Sequence, residues 1–251
     1  MEDVYRRATR LFDDELRGRS CMESIKHLQT LKRPVIIACR VMEPELEAAR
    51  AGSQAVEIIY LEQGLHRTPK KLPEIIQERI DQVASYATAI VLGYGLCSNS
   101  LIGVTARRQK LIVPRCHDCI ALFLGSPARY DAVFRDHPGT YYLTPGWVKE
   151  NHDPLGTYQV EYLPKYGKKV ALWAIRESLK NYTHIALINS GMPESEALRR
   201  RALENAEFLN MTYIEIEGNL SYFEKIIRGP YKTEEFLHLQ PGETITQSQY
   251  F

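Results

Sequence analysis

No apolar run in the sequence approaches the roughly 20 residues that span a bilayer. The longest, such as Ala87 to Leu92, fall far short, so a membrane is not expected as partner. An excess of charge is missing as well. The chain has 32 Lys and Arg against 31 Asp and Glu, a formal net charge of +1, which supplies no electrostatic attraction to nucleic acid or to an anionic bilayer. Cysteine is scarce and odd in number, five in 251 residues, which excludes a disulfide framework. Biased composition is absent: 44% hydrophobic and 25% charged residues exclude wholesale disorder and collagen-like repeats. The segment Met1 to Arg19 is rich in both charges and has neither an apolar core nor a small-residue cleavage site, so a cytoplasmic protein is expected. Gly-x-Ser-x-Gly, His-Glu-x-x-His and Walker patterns are not found.

What is present is an alternation of two periodicities. Residues 3 to 32 carry apolar residues at loosely helical spacing and read as a helical extension. Beyond them come short β-branched runs, Pro34 to Cys39, Val56 to Leu61, Thr88 to Leu92, Lys110 to Val113 and Thr140 to Leu143. Such runs read as strands buried on both faces. Helical patterns separate them at Glu43 to Ala51, Pro73 to Tyr86 and Pro127 to Arg135, with a short helix expected near Ser98 or Ser100 and another after Arg115. The second half repeats the alternation: helix from Val170 to Asn181, strand at Ile185 to Ile188, helix from Pro193 to Leu209, strand at Thr212 to Ile216, helix from Leu220 to Arg228, and a last strand at Phe236 to Leu239. The fold class that follows is α/β, a mainly parallel sheet flanked by helices, with the amino-terminal helical extension. Residues 33 to 251 read as a single domain, with Trp147 to Tyr166 as the one weak seam and a lobe boundary near residue 150 as the alternative.

Open parallel sheets place their ligand sites outside the carboxyl ends of the strands, where loops converge. The residues following the first four strands are Cys39, then Gly64-Leu-His66, then Cys97, then Cys116-His117-Asp118-Cys119. Thiolates and imidazoles are the ligands zinc prefers. Cys97, His117 and Cys119 therefore form the core of an expected metal site, with Cys39 as a fourth ligand or nearby thiolate. Asp118 and His66 are the candidates to orient a ligand or move a proton. A reactive thiol without metal, or plain packing of small buried side chains, is the competing reading of the same residues. Cys116 and Cys21 are left outside the ligand set. Among lesser signals, Gly93-Tyr-Gly-Leu-Cys97 resembles a phosphate-cradling turn but lacks its third glycine. Arg115 and Arg129 suit a substrate carboxylate, and Thr144 and Trp147 fall at the edge of the expected site.

The segments Ile36-Ile-Ala-Cys39, Gly64-Leu-His-Arg-Thr-Pro69, Leu92-Gly-Tyr-Gly-Leu-Cys97, Pro114-Arg-Cys-His-Asp-Cys-Ile120, Leu124-Gly-Ser-Pro-Ala-Arg-Tyr130 and Pro138-Gly-Thr-Tyr-Tyr-Leu-Thr-Pro-Gly-Trp147 resemble the family catalogued as domain of unknown function number 1638, from about residue 34 to 242. Ser98 and Ser100 depart from the glycine-rich turn common in that family. The resemblance implies an anaerobic setting near corrinoid-dependent methyl transfer. By analogy with zinc methyltransferases that use a His-x-Cys pair and a distant Cys, it implies zinc activation of a thiol for methyl transfer. A small thiol or methylated compound would be the substrate and a corrinoid protein the partner. A non-enzymatic accessory protein holding a metal, an iron–sulfur cluster or a corrinoid partner is the alternative.

Overall fold

A computed structural model describes residues 33–51, 56–62, 71–97, 99–193 and 195–250. The expected helical extension, Cys21, His66 and Ser98 lie outside the described residues. The protein is a mixed α/β structure in which mostly parallel sheets are flanked by helices.

The first sheet is organised by β1 (Arg33–Cys39), whose last five residues are fully buried. An apolar strand of this kind can only lie centrally with a layer on each face, and it pairs in parallel with β2 (Glu57–Leu61) on one side and β3 (Ala87–Gly93) on the other. Between them run α1 (Glu43–Arg50) and α2 (Leu72–Val83); α2 seals the sheet with Leu72, Ile76, Ile80 and Val83, an i, i+4, i+8, i+11 stripe. β4 (Leu111–Pro114) continues the parallel order beside β3. The edge beyond it is occupied by β8 (Phe236–Leu239), which runs antiparallel.

The chain reaches the second sheet through α3 (Ile120–Leu124) and α4 (Pro127–Asp136). Ser126 caps α4 by accepting the Arg129 N–H, and Pro127 stands in its first turn. β5 (Thr140–Leu143), β6 (His184–Asn189) and β7 (Thr212–Glu217) then form a separate parallel sheet with β6 at its centre. α5 (Pro145–Lys149) follows β5, α6 (Leu163–Ser178) precedes β6, α7 (Ser195–Leu209) joins β6 to β7, and α8 (Ser221–Arg228) leads back to β8. Leu143, Ile185 and Leu187 pack with Leu198, Ala202 and Ala206 of α7 as a small second core.

One expectation about local structure is corrected. No helix begins at Ser100: residues 99–103 form turns. Cys97 and Asn99 both adopt left-handed φ values, 43° and 66°, which a helix cannot accommodate. The segment from Trp147 to Tyr166, named above as the weak seam, is largely helical, through α5, a helical stretch from Pro154 and the start of α6. It is held by the buried carboxylate of Asp153, which pairs with Arg201 at 3.0 Å and accepts from Asn205 Nδ2 at 2.7 Å and from the Gly156 N–H at 3.1 Å.

Candidate functional site: a thiol-lined cleft

Because β1, β3 and β4 are parallel neighbours, their carboxyl ends open at one edge of the first sheet. The loops after β3 and β4 are stitched together there. Leu96 N–H donates to the Cys116 carbonyl at 2.8 Å, and Cys97 N–H to the His117 carbonyl at 2.9 Å. The approach is so close that a Cβ on Gly95 would lie 3.0 Å from the backbone of Asp118 and Cys119 and 3.1 Å from Cys116 Sγ. Glycine is what lets the two loops dock. On the far side of Cys97, the Ser100 hydroxyl and N–H both reach the Cys97 carbonyl, at 2.6 and 3.2 Å. These bonds hold the residue in its left-handed conformation, which a non-glycine residue adopts only under such constraint.

The consequence is a meeting of thiols. Cys119 and Cys97 share a thiol–thiol hydrogen bond, which with burial and nearby negative charge raises the Cys119 pKa well above the ordinary thiol value. Cys39, at the end of β1, is wholly buried; burial pushes its thiol up to about 12, opposed by the Val41 N–H directed at it. The Tyr94 hydroxyl lies within electrostatic reach of all three sulfurs, and its pKa is raised chiefly by burial. Cys116 is buried on the other side of the loop, near Tyr222 and Tyr250, and burial raises its pKa well above the usual value. Of these four cysteines, Cys97 alone is partly exposed.

Cys97 and Cys119 open onto a cleft of about 890 Å³ lined from both sheets. His117, Asp118, Ile120, Tyr130, Tyr142 and Trp147 also line it. Asp118 Oδ1 accepts the Ile120 N–H at 2.9 Å. Its charge contributes, after burial, to the raised pKa of Tyr130 and to that of Tyr142, which is about 12.

The residues named from the sequence fall into three groups. Cys39, Cys97 and Cys119 converge. His117 is exposed at the cleft wall with its ring 6.4 Å from that of Tyr250, and among the described residues no three His, Cys, Asp or Glu side chains stand in a metal-holding arrangement. His66 lies outside the described residues. Arg115 and Arg129 do not line the cleft; Arg115 Nη1 donates to the Gln249 carbonyl at 3.0 Å and Arg129 Nη2 to the Glu217 carbonyl at 2.7 Å. The amides of Leu96 and Cys97, which a phosphate cradle would need, are likewise spent. Thr144 is fully buried, while Trp147 does line the cleft. Tyr94, Tyr130 and Tyr142 are site residues that the sequence pattern did not single out; the aromatic density of Tyr141-Tyr142 and the tyrosine between Gly93 and Gly95 were the signals for them.

No curated protein and no solved structure matches the chain. Residues 60–227, about two thirds of the sequence, match the family described as protein of unknown function DUF1638, a span that takes in Cys97, His117, Asp118, Cys119 and the tyrosine wall. The chain belongs to the DUF1638 family.

Proposed function

We propose that the cleft is the working site of a small-molecule enzyme whose chemistry is carried by the Cys97–Cys119 pair. One observation carries this reading: two interacting thiols, one buried and one partly exposed, at the base of a cleft large enough for a small organic molecule. A structural pair of cysteines would need neither the left-handed backbone at Cys97 nor its opening to the cleft.

Zinc fits this site in donor chemistry, since thiolates are among its preferred ligands. The described residues bring together a pair, with Cys39 close behind, and the set would be completed by Cys39, His117 or His66. Burial raises the Cys39 pKa, and contact with Cys97 followed by burial raises that of Cys119, so both hold their protons when no cation offsets these effects; a dication is the partner that would let these thiols ionise in place. Zinc bound there would supply Lewis-acid activation of a substrate thiol, the step that methyl transfer requires. Asp118, which lines the same cleft as the thiols, would orient a substrate or hold a proton. The small thiol or methylated substrate, a corrinoid protein partner and a cytoplasmic setting belong to the same proposal.

Protein purified without oxygen should be colourless and hold one zinc, with zinc lost in Cys97→Ala and Cys119→Ala but not in Cys21→Ala. Iodoacetamide at pH 8 should label Cys97 only after a chelator has removed the metal, and added zinc should restore protection. Equal zinc content in all three variants overturns the metal assignment, and a brown chromophore would place an iron–sulfur cluster on these thiols instead. Slow labelling of Cys97 with and without chelator overturns the thiol reading as a whole.

A further inference from the structure

The cleft that the thiols line has a composition that selects its ligand. Tyr130, Phe134 and Tyr142 form adjacent panels. The Tyr130 and Phe134 rings are 6.1 Å apart and stacked, and Tyr130 and Tyr142 are 6.3 Å apart and tilted. Among the described residues that line the cleft, Asp118 is the only carboxylate, and none is a Lys or Arg. Asp118 lines the same cleft as Tyr130, Phe134 and Tyr142. The Tyr142 hydroxyl is buried and has no hydrogen-bond partner among the described residues.

Aromatic faces carry negative charge density and attract cations held within about 6 Å of the ring centre. A carboxylate beside them adds a full negative charge, and the missing lysine and arginine leave nothing of fixed positive charge to oppose it. An anionic substrate is disfavoured by the same arrangement. A bare metal ion or a primary ammonium would surrender strong hydration for a single carboxylate, whereas hard ions need several oxygen ligands. A cation wrapped in methyl groups is weakly hydrated and gains from the rings what it loses from water.

We propose that the cleft takes an organic cation with an apolar shell, of the quaternary-ammonium class, with Asp118 as its counter-charge and Tyr130, Phe134 and Tyr142 as its walls. This specifies the substrate class of the thiol-lined site and rests on that cleft being a small-molecule site. It does not rest on the identity of the metal or on the reactivity of the thiols.

The test uses the full chain carrying Trp173→Phe, so that fluorescence reports Trp147 in the cleft wall; Trp173 is exposed elsewhere. Choline is titrated against its neutral carbon isostere, 3,3-dimethylbutan-1-ol, at pH 8. Choline should bind at least about tenfold more tightly than the isostere. Asp118→Asn, which keeps the acceptor for the Ile120 N–H and hence the local fold, should weaken choline about tenfold and leave the isostere unchanged. Tyr142→Leu should weaken choline by about three- to tenfold. Equal affinity for choline and isostere overturns the proposal, as does choline binding that is indifferent to Asp118→Asn, or no saturable response to choline at millimolar concentration. Iodoacetamide labelling of Cys97 is read in parallel on the same chain with every cysteine in place. The two readouts separate the readings: slow labelling with tight choline binding defeats the thiol chemistry alone, and labelled Cys97 with no saturable choline response defeats the cation site alone.

Discussion

Alanine in place of Gly146 should unseat α5 from the turn that follows β1, and with it one wall of the cleft. A Cβ built on Gly146 lies 1.9 Å from the Val41 carbonyl oxygen and 2.5 Å from its carbonyl carbon. Ordinary van der Waals contact begins near 3.4 Å, so the two backbones must part by about 1.5 Å before the added methyl fits. The atoms in the way are main chain, and no rotamer change moves them. Overpacking of this kind costs about 1–3 kcal/mol, and a clash with backbone belongs at the upper end. In a chain of this length 1 kcal/mol is about 2–4 °C in Tm, so a fall of about 6–12 °C is expected. Because Trp147 is the next residue and packs edge-on against Phe123 at 6.2 Å, its emission should shift toward that of exposed tryptophan. The Lys149–Glu43 contact at 3.5 Å crosses the same junction and is exposed, so its loss should add little. Thermal melts followed by circular dichroism, with emission spectra in the Trp173→Phe background, measure both effects. A Tm change below about 2 °C with unaltered emission would show that α5 does not clasp the first sheet through Gly146.

Two further predictions concern buried carboxylates. Glu45 is fully buried, and burial raises its pKa from the ordinary 4.5 to about 8, with the Ser190 hydroxyl at 3.5 Å acting weakly the other way. The folded protein thus keeps a proton that the unfolded chain releases above its ordinary pKa, so stability is full below that value and falls as pH rises toward 8, by at most about 5 kcal/mol. Glu45→Gln should flatten the Tm–pH curve across that window and raise Tm at pH 8; identical slopes in both proteins would assign the dependence to other groups. Asp153→Ala should cost roughly 3 kcal/mol, read as a lower urea midpoint at unchanged slope, because Arg201 and Asn205 lose their shared acceptor. An unchanged midpoint would mean that the segment after α5 is held by something other than this network.

Much of this architecture is written locally in the sequence. Val35 to Cys39 could only be a central strand, because five successive buried apolar residues need a layer on each face. The stripe of Leu72, Ile76, Ile80 and Val83 could only be the inner side of a helix. Parallel order then brings the residues after β1, β3 and β4 to one edge, which is why strand pattern alone suffices to group Cys39, Cys97 and Cys119. Tertiary structure alone decided what depends on partners distant in sequence. β5 has the apolar character of a strand but pairs with β6 in a second sheet, and β8 runs antiparallel beside β4 after more than 100 intervening residues. Pairing energy comes from the neighbour, not from the strand's own pattern. Helical structure from Pro154 was concealed by Pro164 and by Gly167, whose φ of 70° interrupts α6. The side-chain detail of the cleft is equally non-local. Arg115 is engaged by the Gln249 carbonyl, the His117 and Tyr250 rings lie 6.4 Å apart, and Asp118 shares the cleft with Tyr142 of the second sheet. Residue type and periodicity determined which thiols could meet; the packing of two sheets determined what they face.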